Sequence, residues 1–315
     1  MAYGGSGATL IPFRPVQVAR AEGDWGRALE YNAISTVEFR PIEPFGAEVD
    51  LDLRCELPDE QADDLRDLFR QHHLLIFRDQ QLTPEQFRAA MAHLGPLPLE
   101  TTYVSTDPNV GAQGRLKLAF HSDLAFAQKP DLGVALYAID VVDDETATKF
   151  ANASTALGRL PSELRARLEG LQCRHVWPVN EATRNHEAPL RDSDPRAVHP
   201  LIADHPVTGE PVLFVNYMQT DCILGMTADD SEALLQELFG YLYDPDNILV
   251  HRWRAGALAV FDNYFVQHAR DELTAPGIRS LMRVTLAEQG FFEQFPQFAA
   301  MVDGFTDDRH GSNSI

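Results

Sequence analysis

Short apolar runs separated by turn residues, with no strand–helix–strand alternation, most constrain what this 315-residue chain can fold into. Leu74-Leu-Ile-Phe77 is one such run, too short for a helix and apolar enough for a strand buried on both faces. Residues 132–142, Leu-Gly-Val-Ala-Leu-Tyr-Ala-Ile-Asp-Val-Val, make a longer one. Residues 37–51 alternate apolar and polar and predict strand, turn, strand; residues 200–216 predict the same around Thr208 and Gly209. A turn and strand are expected over 143–152, and further strands near 251–253, 258–261 and 281–286. Helices are fewer. Pro58 opens one, with Ala62, Leu65, Leu68, Phe69 and His72 at helical spacing. Thr83 caps a second, with Pro84 at its first position and Gln86 completing a capping box; Phe87, Met91 and Leu94 form its apolar face. A third starts at Pro161, with Leu164, Leu168 and Leu171 on one face, and residues 228–242 form a fourth. The sum predicts a mainly β fold with flanking helices, a double-stranded β-helix (jelly roll), with helices on one sheet and a site in the open mouth. Residues 1–35 read as an N-terminal extension and 36–315 as a single domain. The polar, turn-rich stretches 97–115 and 178–198 are expected as loops near that site, the first as a lid.

Composition narrows the partners. A net charge of −21 argues against nucleic acid, which is bound through Lys and Arg clusters, and against an anionic membrane surface. No apolar run is long enough to span a bilayer. Any anionic ligand must be caught by local arginines against an unfavourable global field. Cys55, Cys173 and Cys222 are odd in number and far apart, which is neither a disulfide framework nor zinc spacing, so a reducing cytoplasm is expected.

The chemistry concentrates at His121-Ser122-Asp123. On a strand, alternate side chains share a face, so His121 and Asp123 are expected to project together. One imidazole and one carboxylate on a rigid element make two-thirds of a 2-His-1-carboxylate facial triad for iron. His268 is the best candidate for the third ligand. Such a pair alone also suits a polar surface or a hydrogen-bonded core histidine. Further on, Arg279 and Arg283 share a face if their segment is a strand, about 13 Å apart at about 3.3 Å per residue. A buried arginine calls for a carboxylate or phosphate partner; exposed ones make surface ion pairs.

Together, His121-x-Asp123, Thr148, His268 and Arg279 resemble the pattern of the taurine dioxygenase (TauD/TfdA) family of iron(II)- and 2-oxoglutarate-dependent oxygenases. The resemblance covers roughly residues 37–290 and extends to Phe77-Arg-Asp-Gln-Gln-Leu-Thr-Pro-Glu-Gln-Phe87, His205-Pro-Val-Thr-Gly-Glu, Leu213-Phe-Val-Asn216, Gly225-Met226 and Phe261-Asp-Asn263. It implies that His121, Asp123 and His268 hold Fe(II). It implies that 2-oxoglutarate chelates the iron and that its distal carboxylate pairs with Arg279, assisted by Thr148. With O2, such enzymes convert 2-oxoglutarate to succinate and CO2 while oxidising a substrate C–H bond. An arginine at the place of Arg283 binds the substrate's anionic group in taurine dioxygenase-like members; Arg283 suits equally a supporting place behind the metal ligands. Lys117, on the face of His121 by strand parity, and Tyr103 are further candidates for the substrate pocket, though Lys117 reads more readily as a solvated rim residue. A dimer or tetramer is common in the family.

The chain also departs from the family pattern. Ala119-Phe120 precedes His121 where taurine-specific members carry a polar residue and Trp. Asp143-Asp-Glu-Thr-Ala-Thr148 replaces Gly-Gly-Asp-Thr, so Thr146 competes with Thr148. Both departures turn the expectation from taurine towards a larger or more apolar substrate. The leading expectation is an oxygenase that hydroxylates, desaturates or cleaves a small organic acid or amino-acid-like metabolite. The alternative is a non-catalytic metal-binding jelly-roll protein.

Overall fold

The computed structural model describes residues 36–99, 101–107, 109–113, 115–177, 193–274 and 277–301. All four residues of strand Leu74–Phe77 are buried, because this strand lies in a sheet covered on both faces. Leu74 and Ile76 enter one core cluster; Leu75 and Phe77 enter another. The same division runs along Gly133–Asp140, where Val134, Leu136 and Ala138 face one core and Ala135 and Tyr137 the other. The sheet has eight strands in the order Glu38–Pro41, Ala47–Asp50, Leu74–Phe77, Leu258–Asp262, Gly133–Asp140, Ser280–Leu286, Thr102–Ser105, Ala112–Gln113. Pairing is antiparallel except between Ala47–Asp50 and Leu74–Phe77, and between Thr102–Ser105 and Ala112–Gln113.

Helices Asp59–His72 and Pro84–Ala92 cover the outer face of this sheet, burying Ala62, Leu65, Leu68, Phe87 and Met91 against it. The first follows Pro58, carries Asp59 and Glu60 in its first turn, and ends where His73 turns left-handed (φ 61°). The second has the expected capping box between Thr83 and Gln86. The inner face meets a smaller sheet, ordered Ile248–Arg252, Ala147–Asn152, Val266–Arg270, Leu118–His121. Leu249, Phe150 and Val266 of this sheet share a core with Leu74, Leu136, Phe261 and Leu281 of the larger one. Helix Ala228–Leu242, capped by Thr227, closes the same core with Leu234, Leu235, Leu238 and Leu242. The two facing layers with outer helices match the expected jelly roll. A three-stranded sheet (Arg196–Pro200, Gln172–Val176, Thr220–Ile223) and the hairpin of Ile202–Asp204 and Pro211–Leu213 flank it. Among the described residues no helix is long and apolar enough to cross a membrane.

One expectation needs correction, and one helix was not foreseen. Part of the stretch read as a lid forms strand Thr102–Ser105, which pairs with Ser280–Leu286 and extends the large sheet. The helix expected from Pro161 is the second of two, Ala153–Arg159 and Ser162–Leu168. Leu160 between them is extended (ψ 136°), the conformation that a following proline favours. The extension at 1–35 and most of the loop at 178–198 lie outside the described residues.

Phe150 sits opposite His268 in the ladder and is fully buried, so it supports the site directly. Phe150→Ala is expected to cost about 3–5 kcal/mol, read from urea unfolding.

Candidate active site

The triad is assembled by one ladder and one turn. His268 lies directly opposite His121 across antiparallel strands, and the two imidazole centroids are 4.2 Å apart. Asp123 corrects the expectation of strand parity: the strand ends at His121, and Asp123 stands in the turn that follows, where Leu124 is left-handed (φ 56°). Asn263, fully buried, fixes that turn. Its Oδ1 accepts the Asp123 N–H at 2.7 Å, and its Nδ2 donates to the carbonyls of Asp123 (2.8 Å) and Asp131 (2.9 Å).

The result brings Asp123 Oδ1 to 3.4 Å from His121 Nε2 and 3.9 Å from His268 Nε2, and all three ligand atoms lie within 4.8 Å of one another. His121 Nδ1 lies 2.8 Å from the Ala119 carbonyl; as donor there, it leaves the Nε2 lone pair turned to the cluster. Burial, and then neighbouring His121, push His268 down to about 3, so its imidazole is neutral at ordinary pH. Burial alone would raise the Asp123 carboxyl, but the Arg283 guanidinium, the His121 hydrogen bond and the nearby imidazoles hold it well below the usual range. Two imidazoles and a carboxylate converging on one point fit a divalent metal held on one face.

Arg279 carries the second half of the site. It is 3% exposed, and its Nε and Nη1 are buried without a hydrogen-bond partner. Its guanidinium carbon lies 6.0 Å from the centroid of buried Trp253. Burial, with the charge of Arg270, brings its pKa down to about 9. A desolvated guanidinium with idle donors is costly unless an anion joins it, so this pocket fits a carboxylate. Thr148 is buried, and its Oγ1 accepts from Trp253 Nε1 at 2.9 Å, which leaves its hydroxyl proton to donate. Thr146 lines a small cavity with Arg279, Thr106 and Ile278, and its Oγ1 is buried without a partner. Both threonines therefore remain fit to meet the same anion.

The substrate candidates divide. Arg283 is at the site, but already engaged: its Nη2 is 2.6 Å from Asp123 Oδ2 and 3.5 Å from Asp131 Oδ2. Tyr103 is not at the site. It pairs with Met282, whose side chain joins the outer core, and packs there beneath the helices; Arg283, one residue on, faces inward. Lys117 precedes the strand and is exposed, and nothing brings it to the triad. Asp131 and Trp253 were not singled out as site residues from the sequence, and Asn263 stood there only within the family-like segment Phe261-Asp-Asn263.

Fold and site define a mononuclear metal oxygenase of the double-stranded β-helix type. Residues 38–285 match the family described as "Taurine catabolism dioxygenase TauD, TfdA family". The chain is similar to the (S)-phenoxypropionate/alpha-ketoglutarate-dioxygenase of Sphingobium herbicidovorans, 29% identical over 71% of this chain and 85% of the relative. It is similar to the alpha-ketoglutarate-dependent 2,4-dichlorophenoxyacetate dioxygenase of Cupriavidus pinatubonensis, 26% identical over 79% of this chain and 97% of the relative. Among solved structures, a taurine dioxygenase from Burkholderia xenovorans superposes with a TM-score of 0.69, 27% identity, and coverage of 79% of this chain and 90% of that one. The fold is shared with AAD-2 in complex with Mn(II) and N-oxalylglycine, TM-score 0.70 at 24% identity over 81% of this chain and 98% of that one. The chain belongs to the TauD/TfdA family and is an Fe(II)- and 2-oxoglutarate-dependent dioxygenase.

Asn263 holds the Asp123 turn through three hydrogen bonds. Asn263→Ala is expected to weaken metal binding by about 10–100-fold, measured by anaerobic Fe(II) or Mn(II) titration.

Proposed function

We propose that this dioxygenase hydroxylates, desaturates or oxidatively cleaves a small organic anion, using 2-oxoglutarate and O2 and releasing succinate and CO2. The observation that carries this reading is a buried Arg279 with idle donors in a chain that also brings together a His-Asp-His cluster. The non-catalytic metal-protein alternative gives that arginine nothing to bind.

In this reading His121, Asp123 and His268 hold Fe(II), and Arg279 anchors the distal carboxylate of 2-oxoglutarate with Thr148 or Thr146 donating beside it. Iron and 2-oxoglutarate, when bound, supply the oxidising chemistry. The chain's own residues bind and orient. His268 enters as a neutral ligand because burial keeps it unprotonated. Asp123 enters ionised because Arg283 keeps it so. Trp253, fully buried, has its ring centroid 6.0 Å from the Arg279 guanidinium carbon and donates to Thr148 Oγ1, which links the two 2-oxoglutarate residues. Arg283 receives the anionic group of the substrate. The relatives support an anion there, since their names specify a phenoxypropionate, a phenoxyacetate and, in Pseudomonas putida, a sulfate ester. A carboxylate, sulfonate or sulfate ester suits a guanidinium of this kind. We further infer a cytoplasmic enzyme, in keeping with free cysteines at 55, 173 and 222, working as a dimer or tetramer with no nucleic-acid or membrane partner.

The test is succinate release under air with Fe(II), 2-oxoglutarate and a panel of carboxylates, sulfonates, sulfate esters and amino acids, using Asp123→Ala as blank. Stimulation by an anionic class is expected. No succinate above the blank overturns the reading. Arg279→Met is expected to raise the KM for 2-oxoglutarate about 10–100-fold, as loss of charge-assisted hydrogen bonds worth about 1.5–3 kcal/mol requires. A KM within twofold of wild type would remove Arg279 from the anchor role.

A further inference from the structure

The ion pair that joins Arg283 to Asp123 has a third member. Asp131 turns its carboxylate towards the same guanidinium, Oδ2 to Nη2 3.5 Å, with its side chain only 3% exposed. Arg283 therefore stands between two carboxylates, with the closer contact to Asp123 at 2.6 Å. One positive charge between two negative ones leaves a surplus negative charge in a desolvated place. Burial lifts the Asp131 carboxyl to about 7 against the pull of Arg283, with the charge of Asp123 adding to the rise. Asp123 belongs to the metal cluster, so its claim on Arg283 stays. Asp131 has no such tie at its carboxylate. Its position is secured through the backbone, where its carbonyl accepts from Asn263 Nδ2.

We propose that Asp131 is a specificity-determining residue: a built-in counter-anion that occupies Arg283 until the substrate's anionic group displaces it. This rests on the reading of Arg283 as the receptor for that group. Every incoming anion must then compete with a carboxylate already in place, so Asp131 sets the affinity for the substrate's charged end. It acts on Arg283 and not on the 2-oxoglutarate anchor Arg279, which lies just before strand Ser280–Leu286. A weakly held internal anion also answers a physical need. When no substrate is present it joins Asp123 in balancing the Arg283 guanidinium.

The experiment is anaerobic calorimetric titration of enzyme loaded with Mn(II) and 2-oxoglutarate, using (S)-2-phenoxypropionate and hexyl sulfate as probes. Four chains are compared: wild type, Asp131→Asn, Asp131→Glu and Arg283→Gln. Asp131→Asn removes the charge and keeps the shape and the backbone contact to Asn263. It is expected to tighten probe binding at least tenfold, with the Kd for 2-oxoglutarate and for Mn(II) changed less than twofold. Asp131→Glu is expected to return towards wild type, and Arg283→Gln to abolish binding. Should Asp131→Asn fold poorly by thermal melting, Asp131→Ser serves as the neutral variant. Probe binding lost in Arg283→Gln but unchanged in the neutral variant overturns the Asp131 inference alone. Weaker Mn(II) binding in the neutral variant, without tighter probe binding, also overturns it, since Asp131 would then act through Asp123. Probe binding that survives Arg283→Gln, or none in wild type and the neutral variant alike, overturns the receptor reading of Arg283 and the inference with it.

Discussion

Everything chemical in this protein depends on the pairing of His268 against His121 across two antiparallel strands. That register places two imidazoles side by side before any metal is considered, and the sheets behind them hold it. Phe150 supports His268 from the adjoining strand, and Phe261 packs on the imidazole with ring centroids 4.9 Å apart. A slip of one residue would turn His268 to the other face of its strand, so the burial of Phe150, Val266 and Leu249 in one core also fixes the metal geometry.

The carboxylate ligand is controlled differently. Asp123 lies outside the ladder, and its position comes from a turn clamped by Asn263, which itself sits just beyond strand Leu258–Asp262 of the large sheet. The two layers therefore meet at the triad: the small sheet supplies both histidines, and the end of a large-sheet strand positions the carboxylate. Arg283, from the large sheet's Ser280–Leu286, adds the charge that keeps this carboxylate ionised.

A chain with a net charge of −21 has to build its anion receptors locally. It does so by burying guanidiniums where solvent cannot screen them. Arg279 and Arg270 are both almost fully covered, and Arg270 donates to the Leu116 carbonyl at 2.6 Å. Arg279 keeps donors free, and Arg283 is balanced by Asp123 and Asp131. Three arginines between positions 270 and 283 thus differ in what they can offer, although a sequence shows only three like residues.

Local chemistry was legible in the sequence by itself. The Thr83–Gln86 capping box, helix Ala228–Leu242 and the alternating strands before Leu51 follow from short-range rules that do not need the rest of the chain. The triad and Arg279 were legible as a pattern of residue types in order. What only the tertiary structure decided is which way side chains face once strands pair. Tyr103 turns to the outer core because it pairs with Met282, Lys117 ends outside its strand, and Asp123 lies past the strand that was to carry it. Asn263 and Asp131, 132 residues apart, meet at a hydrogen bond that no spacing announces. Strand faces alternate every residue, so side-chain direction depends on long-range register, and register is settled by the packing of two whole sheets rather than by neighbours in sequence.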